Sequence, residues 1–364
     1  MASFAVDGDI TRAETPPGWF YCDPSVYAAA RERVFRRSWQ LVADSEAVKV
    51  PGQVHPFTLL EGCLDEPLLL TRDHADRVHC LSNVCTHRGT VLCPGAGHEK
   101  SLVCRYHGRR FDLDGTFRYM PEFEGVVGFP SERDNLKKVQ WGSWGGGDRL
   151  LFASLDPAVS LEEWLRPVTE RCGWMPLKEF KFDAGRSRDY LVNANWMLYI
   201  DNYLEGFHIP FVHAGLNQAL DYGEYTTELF AWGNLQLGVG KTGDSCFELP
   251  AGSRDAGRRV AAYYWWLFPN TMLNLYPWGL SVNVVRPLAP ERTRVSFLSY
   301  VWDESKLDSG AGTGLDRVER EDEAVVEAVQ RGLKSRLYER GRYSAKRETG
   351  VHQFHRLMCT ALWG

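Results

Sequence analysis

No stretch of the 364-residue chain approaches the roughly 20 consecutive apolar residues of a membrane-spanning helix, so no membrane span is expected. The first residues, MASFAVDGDI, lack a basic segment followed by an apolar run, and no secretory signal is read there. A soluble, cytoplasmic protein is expected. Strong charge of one sign is also missing: 42 Lys and Arg face 47 Asp and Glu, a formal net charge of −5. That mild acidic excess argues against nucleic acid as the main partner. The chain has no internal repeat and no long low-complexity segment. The glycine-rich SGAGTG (309–314) does not match G-x-G-x-x-G, so a nucleotide-binding fingerprint is lacking too. DSGAGTG (308–314) reads as a flexible loop instead.

Cysteine is present in an odd number, nine, and unevenly. Cys80, Cys85, Cys93 and Cys104 crowd into one quarter of the chain. Without a secretion signal, such crowding points to metal or redox chemistry rather than disulfides. The composition, 44% hydrophobic and 24% charged, is that of a folded globular protein with room for two domains. Residues 23–39 read as a helix, with Asp23 as N-cap and Pro24 at the first helical position. From about Gln40 to Pro157, short β-type runs (PLLLTR, VHCLSN, LVCRYH, RLLFASL) alternate with turn residues, the pattern of a modest antiparallel β domain. Beyond Pro157, helices mix with longer strands. AAYYWWLFPNTMLNLYPW and RVSFLSYVWD have the aromatic and β-branched content of such strands. A long helix is predicted from about Leu315 to Arg340.

Cys85, His87, Cys104 and His107 form C-x-H, a gap of 16 residues, then C-x-x-H. Each half sets one Cys and one His on a tight turn between strands. Gly89 and Gly108 follow closely, as suits turns with unusual backbone angles. Two metals compete for this set. A structural zinc would be tetrahedral and closed. A [2Fe–2S] cluster would take both cysteines on one iron and both histidines on the other. Neutral imidazoles in place of two thiolates make such a cluster a better electron acceptor. Zinc fingers usually pair a Cys–Cys half with a His–His half, unlike the mixed halves here.

The segment WMLYIDNYLEGFHIPFVH (196–213) reads as a largely buried helix. At ~100° per residue, Asp201, Glu205 and His208 fall within about 60° of one another. A polar stripe inside a buried helix must be hydrogen-bonded, ion-paired or metal-bound. His213, five residues on, would point ~140° away on a straight helix. Pro210 breaks or kinks the helix between the two histidines and could swing both toward one metal. On the helix predicted from Leu315, Leu315, Val318, Val325, Val326, Val329, Leu333 and Leu337 make an apolar stripe. Asp322 lies near its centre and Glu319 at its edge. Glu321 and Glu323 point about 100° to either side, toward solvent. A carboxylate in the middle of a buried face is either paired with an arginine or metal-bound. Two histidines and one carboxylate make the facial triad of non-haem Fe(II) oxygenases, with positions left for O2 and substrate.

The loops CTHRG (85–89) and CRYHG (104–108) resemble the two ligand loops of Rieske domains; Arg105 stands where many relatives carry Pro. DNYLEGFHIPFVH (201–213) and EDEAVVEAVQRGL (321–333) resemble the mononuclear-iron segments of Rieske oxygenase catalytic subunits. The resemblance runs from about Trp39 to the C-terminus. It implies an α+β fold: a small antiparallel β Rieske domain (39–157) and a helix-grip, START-like catalytic domain (158–364), preceded by an N-terminal arm and helix (1–38). It implies one [2Fe–2S] cluster on Cys85, His87, Cys104 and His107, and one mononuclear Fe(II) on His208, His213 and Asp322. Glu205, and with it Asp201, would serve catalysis, Glu205 matching the carboxylate that bridges the two metal centres. That residue is often Asp; Glu is similar to members that oxidise quaternary ammonium compounds such as choline, betaine or carnitine.

The same resemblance implies O2 as co-substrate, a separate NAD(P)H-dependent reductase, possibly with a ferredoxin, and a head-to-tail homotrimer. The substrate would be a small organic molecule, aromatic or quaternary ammonium. Tyr263, Tyr264, Trp265, Trp266, Phe268, Tyr276 and Trp278 form an aromatic-rich strand pair, either sheet core or, in an alternating half, cavity wall. Arg286 reads as an exposed strand residue or as a contact for a substrate carboxylate. Two rival readings are a Rieske electron carrier joined to a non-catalytic binding domain and a zinc-stabilised interaction protein. The coincidence of His208, His213 and Asp322 argues against the carrier.

Overall fold

The structure, a computed structural model, describes residues 3–213, 215, 221–307, 309–312 and 314–364. Residues 308 and 313 of the glycine-rich loop lie outside the described residues; between them, Gly310–Gly312 makes one 3-10 turn. No described helix is long and apolar enough to cross a membrane. The chain divides into two units, residues 36–158 and residues 1–35 with 159–364.

Residues 36–158 are built from three small antiparallel sheets. β1 (Gln40–Asp44), β2 (Gln53–Leu59), β3 (Glu66–Arg72), β4 (Val78–Ser82), β5 (Gly97–His98), β6 (Leu102–Val103), β7 (Arg110–Phe111), β8 (Phe117–Tyr119), β9 (Gln140–Trp144) and β10 (Leu150–Ser154) arrange as β4-β3-β2-β5, β1-β10-β9 and β6-β7-β8. LVCRYH is a strand only over Leu102–Val103, because its remaining residues form a ligand loop. A core of Val54, Leu69, Leu81, Leu102, Phe111, Leu113 and Leu136 also takes in Cys85, Cys93 and Cys104.

The two loops on this core are near copies. The Cys85 N–H donates to Thr90 O at 2.8 Å, and the Gly89 N–H to Cys85 O at 3.0 Å. The Cys104 N–H donates to Arg109 O at 2.8 Å, and the Gly108 N–H to Cys104 O at 2.9 Å. Both turns close through a left-handed residue, with φ of +71° at Gly89 and +76° at Gly108. Only glycine adopts that conformation without a steric cost.

The other unit begins with α1 (Gly18–Cys22) and α2 (Pro24–Arg33). Asp23 caps α2 by accepting from the Ser25 N–H, and Pro24 opens it. The helix stops at Arg33, short of the expected Trp39, and continues as a 3-10 turn over Phe35–Arg37. Then come α3 (Leu161–Cys172), β11 (Lys181–Val192), α4 (Trp196–Tyr203) and α5 (Ile209–Val212). The remaining strands are β12 (Thr226–Phe230), β13 (Gly233–Val239), β14 (Val260–Leu267), β15 (Thr271–Tyr276), β16 (Gly279–Ala289) and β17 (Arg292–Val301). The chain closes with α6 (Leu315–Gly332) and α7 (Thr349–Trp363).

The seven strands form one antiparallel sheet, ordered β11-β17-β16-β15-β14-β13-β12. β14 and β15 are buried along their whole length; β14 is apolar throughout apart from its tyrosine hydroxyls and tryptophan N–H groups, whereas β15 also buries Thr271 and Asn274. Trp196 of α4 packs edge-on against Phe35 and against Phe354 of α7. Asn195 caps α4 at the Met197 N–H, donates to Tyr21 O and Pro290 O, and its own N–H meets Gln330 of α6 at 2.7 Å. That fully used amide ties α4 to α1, to the β16–β17 turn and to α6.

α6 ends at Gly332, not Arg340, and its buried face is Glu319, Asp322, Val326 and Gln330. Those positions recur at helical spacing, but three of the four are polar. Val329 and Leu337, expected in the apolar stripe, are exposed.

Gly89 has open space where a Cβ would stand, so alanine there adds only backbone strain. Gly89→Ala is expected to cost about 1–2 kcal/mol. Gly95→Ala, also in open space but without a positive φ, serves as the control. Chemical denaturation of both variants checks this: equal midpoints for the two would rule out the strained turn.

Candidate active site

The expected helix 196–213 is two helices with an irregular bend between them. The break lies over residues 204–208, upstream of Pro210, which occupies the first turn of α5. A proline ring clashes with the carbonyl four residues back, here that of Gly206, so the helix must end before that point. The bend turns His208 and His213 toward each other. Their Nε2 atoms lie 3.1 Å apart.

Asp322 comes in from α6. Its Oδ1 is 3.0 Å from His213 Nε2 and 3.5 Å from His208 Nε2. All three donor atoms fall within 4.8 Å of one another, and among the described residues this is the only such set of three or more. Three lone-pair atoms facing one point suit a metal ion with open coordination positions.

Two carboxylates stand behind the imidazoles. Glu205 Oε1 contacts His208 Nδ1 at 2.7 Å, and its Oε2 accepts from the backbone N–H groups of Phe207 and His208. Glu321 Oε2 contacts His213 Nδ1 at 2.8 Å. Each thereby fixes the tautomer that leaves Nε2 free to bind metal. Burial opposes a charge on His213, but Asp322 and Glu321 outweigh it and hold its pKa up. Glu321 therefore does not point to solvent, as its helical position suggested. Its partner arrives from a segment more than 100 residues away in sequence, which helical periodicity does not register.

Asp201 is not brought to this group. It accepts from Tyr21 OH at 2.8 Å and lies 2.9 Å from His355 Nε2, while Tyr343 OH meets His355 Nδ1 at 2.7 Å. Tyr21, His355 and Tyr343 carried no spacing signal; they come from distant segments.

A cleft of about 700 Å³, counted to its open mouth, adjoins His208 and His213. Tyr199, Tyr203, Tyr225, Tyr264 and Tyr276 line it, with the amides of Gln236, Asn274 and Asn283. Of the aromatic strand residues, Tyr264 and Tyr276 thus face the cleft. The others pack elsewhere: Tyr263 OH donates to Asp255, Trp265 Nε1 meets Cys172 of α3 and Trp266 Nε1 donates to Pro269 O. Arg286 lines no part of this cleft and donates to Ser296 Oγ. Glu319, placed by its sequence position at a stripe edge, is 2% exposed and lines the cleft. Its Oε2 accepts from Tyr199 OH at 2.5 Å, and burial lifts its carboxyl to about 8.

In residues 36–158, Cys85 and Cys104 are buried with their thiols in contact; burial, with that contact, pushes the Cys85 thiol up. The His87 and His107 rings lie 4.8 Å apart, and His87 Nδ1 is buried without a hydrogen-bond partner. Cys pairs with Cys and His with His. A single tetrahedral zinc needs four donors around one point; this partition into pairs fits a two-iron cluster. Cys80 stays apart, its thiol pushed to about 12 by burial.

Known families match both parts of the chain. Residues 38–130 match the Rieske [2Fe-2S] domain family, and residues 177–362 match the ring hydroxylating alpha subunit (catalytic domain) family. The chain is 33% identical to chloroplastic choline monooxygenase of Arabidopsis thaliana, over 96% of this chain and 83% of that protein. It is 30% identical to the carnitine monooxygenase oxygenase subunit of Escherichia coli K12, over 95% of this chain and 93% of that one. A crystal structure of the quaternary ammonium Rieske monooxygenase CntA in complex with an inhibitor aligns with a TM-score of 0.78, at 25% identity over 99% of both chains. The chain therefore belongs to the Rieske non-haem iron oxygenases, oxidoreductases whose alpha subunits join a Rieske [2Fe–2S] domain to a catalytic domain and oxygenate a quaternary ammonium or aromatic substrate.

Proposed function

We propose that this chain is the oxygenase component of a monooxygenase that acts on a quaternary ammonium compound, with electrons from NAD(P)H delivered by a separate reductase. The observation that carries this reading is the wall of the cleft beside His208 and His213. It carries five tyrosine rings and includes no lysine or arginine among the described residues. The faces of such rings attract an alkylammonium by cation–π interaction, strongly so once water is excluded. The relatives named choline and carnitine monooxygenase favour the same substrate class.

In this reading Cys85, Cys104, His87 and His107 hold the [2Fe–2S] cluster, the cysteines on one iron and the histidines on the other. His208, His213 and Asp322 hold the mononuclear iron, which supplies O2 activation when bound. The tyrosines bind the cation and shed water from it. Glu205 and Glu321 hold the two imidazoles in register. Residues 36–158 form the Rieske domain and 159–364 the catalytic domain, assembled as a head-to-tail trimer. A heterologous interface of that kind closes into a ring. Glu205 then faces a neighbouring subunit's cluster with the carboxylate that already holds His208.

Three outcomes are expected. First, with a suitable Rieske reductase, quaternary amines should stimulate NADH and O2 consumption with formation of an oxidised product. Oxidation of aromatic compounds with no response to any quaternary amine would overturn the substrate reading. Second, Glu321→Gln should weaken iron binding about 10–100-fold, as loss of a carboxylate behind a ligating histidine does. Iron content after dialysis against a graded ferrous chelator measures this; wild-type retention would remove the role of Glu321. Third, His107→Ala and His208→Ala should each be inactive alone. Co-expressed in equal amounts, they should recover roughly a quarter of wild-type activity if each cluster serves a neighbour in the ring. A mixture as inactive as its components would exclude transfer between subunits.

A further inference from the structure

Glu319 sits on α6 one turn before Asp322, is 2% exposed and lines the cleft. One of its oxygens is satisfied: Tyr199 OH donates to Oε2. The other, Oε1, is buried and has no hydrogen-bond partner in the described structure. A buried carboxyl oxygen without a partner is costly, whether the group holds a charge or a proton. The cost is removed when something positive enters the cleft.

Among the described residues, nothing in the wall supplies that charge. The other ionisable groups lining the cleft, besides its tyrosines, are Glu205, His208 and His213. Glu205 is engaged by His208 Nδ1 and the backbone, and the histidines turn their Nε2 atoms toward Asp322. Burial raises the Glu319 carboxyl, and a cation beside it favours the ionised form. The free oxygen is thus a built acceptor for a cation that the protein itself does not contain.

We propose that Glu319 selects substrate by charge: its free oxygen faces the cationic nitrogen, and the substrate carries a net positive charge with no carboxylate of its own. This rests on the quaternary-ammonium reading above and narrows it. A zwitterion would bring a third carboxyl group into a cleft that already holds Glu319 and Glu205 and, among the described residues, offers no guanidinium or ammonium in return. Arg286, the one arginine of β16, is turned to Ser296 instead. A compound with a hydroxyl or alkyl group in that place meets the amides of Gln236, Asn274 and Asn283 without repulsion.

The test is calorimetric binding to the iron-loaded protein of three probes. They are choline, its uncharged carbon isostere with tert-butyl in place of trimethylammonium, and L-carnitine. Wild type should bind choline at least about tenfold more tightly than either of the others, the scale of one buried charge contact. Glu319→Gln should abolish most of that preference and leave the affinity for the isostere unchanged; Glu319→Asp should retain the preference. The visible spectrum and iron content of each variant report whether it has folded. The comparison of choline with carnitine in wild type needs no variant at all. An unchanged choline-to-isostere ratio in Glu319→Gln, or carnitine bound as tightly as choline by wild type, would overturn the role of Glu319 and leave the quaternary-ammonium reading standing. Failure of wild type to bind any quaternary ammonium compound would overturn both.

Discussion

Three lone-pair atoms, His208 Nε2, His213 Nε2 and Asp322 Oδ1, are held within 4.8 Å of one another. Such a cluster repels itself unless protons or a cation sit among its members, so the surrounding structure must impose it. The imposition has three parts. The helix break enforced upstream of Pro210 aims the imidazoles at each other. Glu205 and Glu321 then fix both rings from behind. Finally, the Asn195 amide and Gln330 lock α4 against α6, so that Asp322 arrives at the right height.

The buried face of α6 shows what that arrangement costs the fold. An ordinary amphipathic helix buries leucines and valines at this spacing; α6 buries Glu319, Asp322 and Gln330 around Val326. Each polar group has a separate use. Gln330 is spent on the Asn195 backbone, Asp322 on the histidine pair and half of Glu319 on Tyr199. With Glu205 and Glu321, four carboxyl groups surround one small volume, yet each differs in partner. That difference in environment is what lets identical functional groups take different tasks.

The parts legible in the sequence were those whose geometry is local. Cys85, His87 and Gly89, and Cys104, His107 and Gly108, lie within five residues of one another, so spacing alone describes each loop. The need for a break near Pro210 was equally visible, since proline chemistry is local, but its position was misjudged. The clash acts on the carbonyl four residues back, which moves the break toward Glu205. That shift gives Asp201 and Glu205 different partners: on an ideal helical wheel they share a face, but α4 ends between them, and although both border one cleft, Asp201 turns to Tyr21 and His355 and Glu205 to His208. Glu321 and Glu319 depart from the sequence reading for another reason. Helical angle sends Glu321 toward solvent and Glu319 to the edge of the apolar stripe, but what covers those positions, His213 and the Tyr199 hydroxyl, comes from a distant segment. The end of α6 at Gly332 was missed because the apolar period continued past it, through Leu337, without packing to support it.

The two ligand loops of residues 36–158 explain why mixed Cys/His halves yield like pairs. In each loop the cysteine comes first, and its N–H and C=O both enter the turn's own hydrogen bonds. The sulfur is therefore held at the base, and both cysteines belong to the core. The histidine follows two or three residues later, at the tip; His87 is half-buried and His107 exposed, stacked on Tyr106. Two copies of such a loop set face to face must bring sulfur to sulfur below and imidazole to imidazole above. The sulfurs lie in the interior, where the N–H groups of His87 and Arg88 reach Cys85, and the rings form the outer end. The order of residues within each loop thus leaves the sulfurs in the core and the imidazoles at the outer end.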